Sequence, residues 1–485
     1  NKALKAFTNS KSPEDFIKLK KLRSKTRHLV KIAKTTYWHN FTSNMGTEVN
    51  PHLMWNKIRS LQGRRNHNNI HLTLNSSLIT DPPTVAQKLG EYFEENSSNK
   101  HYNEDFLTNH EHSQKPSASL ISHTDTHQPQ LNAPITMGEL FFALKKCKSK
   151  SAGPDNIPYL FIQNFSCNTY QILLNIYNFI WTKNVFPQSW RNSIVIPINK
   201  PGKNKFSPEG YRPISLLNTL CKLLEKIVNL RLIWFLEKIN YFTPEQCGFR
   251  KNKSSYNCLT KINDAIHNSF ATNSYLGMIS LDVLKAYDTT WKPSIITNLN
   301  TVLSYSHMIK FICNFLETRT FQVRVGSTLS KSFSQINGVP QGSTISVTLF
   351  LVAINNITKN IEYPVQSTLY ADDFNIFCSS KSLATIEAHL QLTVDKLTNW
   401  SKHSGFSFSP EKSHCIIFSR KRNHNPISIN IGDKLLNNSK TIKILGITFD
   451  KKCSWSKHIT LLKNAITPRL NIIKILSHST WGSKT

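Results

Sequence analysis

The chain has 485 residues, enough for two or three domains with ample core, and its 39% hydrophobic and 10% aromatic content is ordinary for a globular protein. The charge is not ordinary: 60 Lys+Arg against 29 Asp+Glu give a formal +31. Such an excess points to a polyanionic partner, nucleic acid first and an anionic membrane surface second. No apolar run is long enough to span a bilayer and no signal peptide is evident. Nine scattered cysteines form no C-x-x-C pair and no Cys/His cluster at zinc spacing. That argues against a zinc site and for a reducing compartment, with all nine expected as buried thiols.

The chain opens on Asn1 and is read as an internal piece of a longer protein. Residues 1–40 carry eleven Lys/Arg against Glu14 and Asp15, and Phe16, Leu19, Leu22, Val30 and Ala33 recur at near-helical spacing. This predicts basic amphipathic helices, suited to lie along a phosphate backbone or to serve as a solvated linker. The basic helical segment is taken as 1–107. From Thr108 the text turns polar and breaker-rich, and a flexible connector is assigned to 108–133. Its four histidines lack acids or cysteines at ligand spacing, so no metal is expected there.

Structure resumes where Thr136 and Glu139 form a capping box ahead of Leu140, Phe141 and Leu144. Short apolar strands then alternate with helical stretches, among them 216–238 and 385–402, the latter stopping before Gly405. No internal repeat is present, which excludes a solenoid. The last helical stretch, "LLKNAITPRLNIIKIL", is expected to break at Pro468.

Chemistry concentrates in five stretches. "KSKSAGPDNIP" (148–158) is a basic turn able to touch phosphates. "PINKPGKNKFSPEGYRPISLL" (197–217) sets Lys200, Lys203 and Arg212 around a Gly/Pro turn, where Arg grips a phosphate bidentately and Lys acts as a point charge. "YLGMISLDVLKAYD" is an apolar run ending in Asp282 and passing into a turn with Lys285, Tyr287 and Asp288. "INGVPQGSTIS" (336–346) brackets Pro340 and Gln341 with Gly338 and Gly342, letting backbone approach a ligand beside an amide that both donates and accepts.

The fifth stretch, "STLYADDFNIF" (367–377), sets Asp372 and Asp373 side by side between two apolar runs. A two-residue turn at the aspartates would pair Ala371 with Phe374 and Leu369 with Ile376, placing four apolar side chains on one face and both acids at the tip. Asp-Asp is not a favoured hairpin dipeptide, so the turn breaks local preference as sites do. A strand ending in Asp282 beside this hairpin would gather three carboxylates. Such a cluster suits hard divalent cations and phosphate chemistry, whereas alone the acids would repel. Taken singly, each stretch reads better as a turn or a solvated basic loop than as a site.

In combination and in order, the pieces resemble the reverse transcriptases of non-LTR (LINE-type) retrotransposons of jockey-like character. The residues carrying the match are "AGPDNIP", "IVIPINKPGK", "EGYRPISLL", "QCGFRKNKSS", "SLDVLKAYDTTW", "GVPQGSTIS", "LYADDFNIF", "GFSFSPEKS" and "LGITFDKKCSW", covering roughly 134–485. "WNKIRSLQGRR" in the basic segment resembles the part of such proteins that joins an endonuclease to the polymerase.

The resemblance implies an α+β right-hand polymerase with an antiparallel palm sheet: fingers and palm over 134–450 and the start of a thumb over 451–485. It implies Asp282, Asp372 and Asp373 as the catalytic acids, with Asp282, Val283, Asp372 and Asp373 as ligands of Mg2+, or of Mn2+ in its place. Tyr287 falls at the aromatic gate against a ribose 2′-OH. Gln341 and Gly342 lie along the incoming nucleotide, and Arg212 with Lys203 or Lys200 holds its triphosphate. Lys412 is a candidate general acid for the leaving pyrophosphate, or a surface lysine. "LGITFD" is expected as a hairpin gripping the primer end.

The implied partners are an RNA template, a DNA primer or target DNA, and dNTPs, with no membrane; oligomeric state stays open. The implied location is intracellular, cytoplasmic during particle assembly and nuclear at integration. This chain departs from the family at Val347-Thr348, at Asn257 and at "EKS", none of them a metal ligand. Two rivals remain: an RNA-directed RNA polymerase, against which Tyr287 and Ala371 count, and an RNA-binding protein that kept the fold without turnover.

Overall fold

The computed structural model describes residues 2–43, 70–74, 77–102, 104–110, 129–148, 151–303, 307–421 and 425–476. The "WNKIRSLQGRR" segment (55–65) and residues 111–128 of the expected connector lie outside the described residues. Two compact units divide the chain: Asn1–His67 with Ser456–Thr485, and Asn68–Trp455.

The first unit is helical, with α1 (Lys2–Ser10), α2 (Pro13–Ser43) and a later helix, Ser456–Leu476. Glu14 and Asp15 occupy the first turn of α2, where the helix dipole favours acids. Of the five apolar residues expected to form its stripe, only Leu19 is buried. The later helix runs through Pro468 without the expected break. One missing N–H bond there is outweighed by the turns on either side.

In chain order the second unit carries α3 (Pro82–Asn96), β1 (Asn192–Asn199), β2 (Tyr211–Leu216), α4 (Thr219–Lys238) and α5 (Ser255–Ala271). After these come β3 (Tyr275–Asp282), β4 (Arg319–Val325), α6 (Thr344–Ile354), β5 (Gln366–Tyr370) and β6 (Asp373–Ser380). Then follow α7 (Leu383–Ser404), β7 (His414–Phe418) and β8 (Asn437–Asn438). The Thr136–Glu139 capping box forms as expected, and Gly405 ends α7 in the left-handed region.

The main sheet has the order β8-β7-β3-β6-β5. Its pairings are antiparallel except at the edge, where β7 and β8 run parallel. Side chains alternate along the strands: Ile279, Leu281, Phe374 and Ile376 join Ile386 of α7 and Phe350 of α6 in one cluster. Met278, Phe377 and Phe418 join Ile262 and Ile266 of α5 in another. Burial of both faces explains why β3 and β6 read as near-continuous apolar runs.

A second sheet pairs β2 with β1 and β1 with β4. Helix α3 covers it, its Val85, Ala86, Leu89 and Phe93 meeting Val195, Phe321 and Val323. Helix α3, inside the stretch read as 1–107, thus packs within the unit that begins at Asn68, because its apolar face meets this sheet. At the two ends of the stretch read as a connector, Glu104–His110 and Pro129–Asn132 are helical. All nine cysteines are free; seven are buried, but Cys313 is half-buried and Cys167 is exposed, against expectation. Among the described residues, no helix is long and apolar enough to cross a membrane.

Candidate active site

The main sheet brings the three acids to one end. Asp282 closes β3, Asp373 opens β6, and the two are register partners; Tyr370 of β5 faces Asp373 from the other side. Register partners on antiparallel strands lie about 5 Å apart at their α-carbons. Asp372 stands in the turn between β5 and β6.

That turn is Ala371-Asp372, one residue earlier than expected, so Leu369 opposes Phe374 and Ile376 opposes Ser367. The expected apolar face survives the correction, since Leu369, Ala371, Phe374 and Ile376 share one core. Ala371 takes φ +59°, a conformation uncommon outside glycine. Its support comes from far along the chain. The Ala371 N–H donates to Gln246 Oε1 (3.0 Å), which also accepts from the Gly248 N–H (2.8 Å), and Gln246 is fully buried. A Cβ on Gly248 would stand 2.4 Å from the Ala371 nitrogen, so only glycine permits this approach.

Crowding shapes the protonation of the acids. Burial, then Asp372 and Asp282, push the Asp373 carboxyl up to about 6. Burial and Asp282 also raise Asp372, against the pull of a backbone hydrogen bond and Arg212. Lys412 Nζ lies 3.6 Å from Asp282 Oδ2. The "SPEKS" segment is laced to the end of β3: the Ser409 N–H donates to the Asp282 carbonyl (2.9 Å) and the Asp282 N–H to Ser413 Oγ (3.1 Å). Val283 packs its side chain into the core, leaving only its carbonyl as a candidate ligand.

The Tyr287 ring stacks on Phe350 at 4.4 Å between centroids, fixing the aromatic wall beside Asp372, whose charge helps burial raise the phenol. The loop before α6 is bound to β2, the Ser215 N–H donating to the Gln341 carbonyl (2.7 Å). Gly342, at φ +130°, has no room for a Cβ, which would fall 2.4 Å from the Ser215 carbonyl oxygen. Lys200 Nζ donates to the Glu209 carbonyl (2.9 Å). Burial lowers its pKa, Asp288 opposes this, and Lys412, Arg212 and Lys203 add to the lowering. The expected cations thus feel one another's charge across the site.

Residues 198–449 match the sequence profile of the family described as reverse transcriptase (RNA-dependent DNA polymerase). The chain belongs to this family. It is 27% identical over 343 residues to the RNA-directed DNA polymerase from mobile element jockey of Drosophila melanogaster, covering 69% of this chain and 37% of that protein. It is 29% identical over 337 residues to the probable RNA-directed DNA polymerase from transposon BS of the same fly, covering 67% and 37%. The jockey protein of Drosophila funebris is 28% identical over 345 residues, covering 70% and 37%. The chain thus matches little more than a third of the length of these relatives.

Several residues of this site had been given no role of their own from the sequence. Gln246 holds the turn that carries Asp372; it opens the "QCGFRKNKSS" motif, which the sequence flags without showing what the glutamine touches. Asp288 accepts from Gln341 Nε2 (2.7 Å) and orients that amide; burial lifts its carboxyl to about 6, against Gln341, Lys200 and Lys285. Lys285 Nζ donates to Asn96 Oδ1 (2.6 Å), tying α3 to the turn after β3. The fully buried Glu225 accepts from Ser343 Oγ and the Thr344 N–H and so anchors the start of α6.

Among the described residues, no three Asp, Glu, His or Cys side chains converge as a ready-made metal cage. The acids still fit Mg2+, which is held by one or two carboxylates plus substrate phosphates, not by an all-protein cage. Burial first, and then the neighbouring carboxylates, raise Asp372 and Asp373, and a cation bound between them would offset that repulsion.

Proposed function

We propose that this chain is the polymerase region of a jockey-like non-LTR retrotransposon protein and extends a DNA primer along an RNA template with dNTPs. The observation that carries this reading is the register of Asp282 with Asp373 beside the Asp372 turn, with a fixed tyrosine near Asp372 and with Lys200, Lys203, Arg212 and Lys412 close enough to feel one another's charge. On this reading the main sheet is the palm, the second sheet belongs to the fingers, and the helix Ser456–Leu476 begins the thumb.

Asp282, Asp372 and Asp373, with the Val283 carbonyl, would hold two Mg2+ or Mn2+ ions. When bound, these stabilise charge on the attacking and leaving oxygens of an in-line displacement. The primer 3′-OH attacks the α-phosphorus of the dNTP and pyrophosphate leaves. Arg212, Lys203 and Lys200 hold the triphosphate, and Lys412, beside Asp282, is placed to donate a proton to the departing pyrophosphate. Gln341 and Gly342 line the nucleotide, the amide kept in orientation by Asp288. Tyr287, backed by Phe350, excludes a 2′-OH by steric clash. The basic helices α1 and α2 track phosphates, and the work divides between cytoplasmic assembly and nuclear integration.

Primer extension on RNA with a DNA primer and Mg2+, comparing dNTPs with rNTPs and the parent with Asp372→Ala, tests the proposal. Extension by dNTPs alone, lost in the variant, supports it. Extension by rNTPs moves the chain to RNA synthesis. Tight, salt-sensitive template binding with no extension assigns it to RNA binding without turnover.

A further inference from the structure

Cys247 and Cys258 are both buried, at 6% and 1% exposure, and both are anchored at one carbonyl. The Cys247 N–H donates to the Leu369 oxygen of β5 (2.8 Å), and Cys258 Sγ, in the first turn of α5, lies 3.8 Å from the same oxygen. Left-handed residues at Phe249 (φ +57°) and Asn252 (φ +59°) curl the intervening chain back on itself. The two thiols are thereby left in hydrogen-bond contact with each other. Cys247 also stands where a small movement matters. Gln246 and Gly248, on either side of it, hold the Ala371-Asp372 turn, and Gly248 already approaches the Ala371 nitrogen too closely to admit a Cβ. Drawing Cys247 toward α5 to make a bond of about 2.05 Å shifts the acceptor of that turn, and Asp372 with it.

The two sulfurs are unequal. The hydrogen bond from Cys258 brings the Cys247 thiol down to about 7 against the effect of burial, and Lys253, Arg250 and Lys261 add to the lowering. The same bond, and then burial, push the Cys258 thiol up. Burial likewise pushes the Cys221, Cys378, Cys415 and Cys453 thiols up. Cys247 is therefore the sulfur that carries thiolate near neutral pH, and Cys258 is a thiol held against it, placed to resolve an oxidised sulfur.

We propose that Cys247 and Cys258 form an oxidation site at which a peroxide closes a reversible disulfide and switches primer extension off. The Cys247 thiolate attacks one peroxide oxygen; the O–O bond breaks, giving Cys247 sulfenic acid and hydroxide. The Cys258 sulfur then attacks the sulfenic sulfur, the S–S bond forms, and the departing hydroxyl leaves with the Cys258 proton as water. The two sulfurs together lose two electrons, which the peroxide gains. A thiol reductant reverses the step by exchange. The effect on extension rests on the polymerase reading; the disulfide stands on the two cysteines alone.

The test takes the full chain, reduced and then exposed to hydrogen peroxide, through non-reducing peptide mass mapping beside primer extension. A linked Cys247–Cys258 peptide is expected, with extension falling about tenfold or more and returning on addition of dithiothreitol. Cys258→Ser has no resolving thiol and should accumulate sulfenic acid on Cys247, trapped by dimedone. Cys247→Ser should keep its own reduced activity in peroxide. Free Cys247 and Cys258 in a sample whose exposed Cys167 is oxidised overturn the site. A linked peptide with undiminished extension, or Cys247→Ser inactivated as fast as the parent, overturns the switch. A reduced parent that extends no primer overturns the polymerase reading and the switch with it, while the mapping still decides the disulfide.

Discussion

Asp373→Asn is expected to stabilise the fold while abolishing primer extension. Burial and the charges of Asp372 and Asp282 move the Asp373 carboxyl from 3.8 to about 6. Roughly two pKa units are worth about 3 kcal/mol for a fully shielded group. Asp373 reaches solvent, and screening discounts the figure to about 1 kcal/mol. Because the folded-state pKa lies above the unfolded one, the folded state binds the proton more tightly. The ionised carboxylate therefore weakens folding: the penalty is absent below 3.8, grows as pH rises and is complete above about 6. Asparagine removes it, raising the Tm at pH about 7.5 by about 1–2 °C and leaving it unchanged near pH 4. Melting curves across that range, with and without Mg2+, measure this. Mg2+ should raise the parent Tm at neutral pH and lose its effect in acid. A variant Tm below the parent's at pH 7.5 would mean that the carboxylate makes a stabilising bond, and the crowded-acid argument would be wrong.

Other expectations are as direct. Gln246→Leu leaves the Ala371 and Gly248 N–H groups without their acceptor in a buried place, costing about 1–3 kcal/mol each. Thermal melting should fall by several degrees, and kcat should drop with it. Gly342→Ala forces a Cβ to within 2.4 Å of the Ser215 carbonyl oxygen at φ +130°, so steady-state kinetics should show a raised dNTP KM. Tyr287→Val removes the ring stacked on Phe350 and should cut dNTP-over-rNTP discrimination by about tenfold or more, read from competing incorporation. Template affinity should fall steeply with salt, with a log–log slope of about −0.7 per single-strand phosphate contacted; an affinity that stays flat from low to moderate salt would contradict the role assigned to the +31 charge.

Features set by neighbours in the chain were legible in the sequence. The Thr136–Glu139 box needs only residues three apart, and Gly405 ends its helix through its own φ. The order of the motifs was enough to propose the three acids, the gate and the cations, because each proposed role depends on residue type, and the fold brings Asp282 and Asp373 into register. Composition misjudged other points. Residues 82–96 fall inside a segment that reads as basic and helical, yet their apolar face belongs to the second sheet. Cys167 lies on the exposed side of its helix, which counting cysteines cannot reveal.

The catalytic turn marks the boundary most clearly. Alternation of apolar residues fixed the faces of the hairpin but put its turn at Asp372-Asp373, one residue too late. The tertiary structure decides for Ala371-Asp372, because a buried glutamine amide and a glycine, supplied by a segment remote in sequence, accept the left-handed alanine. That choice puts Asp373 into the strand opposite Asp282 and leaves Asp372 on the turn. Which acids are candidates is written in the chain; where each carboxylate stands depends on contacts that form only when distant segments meet.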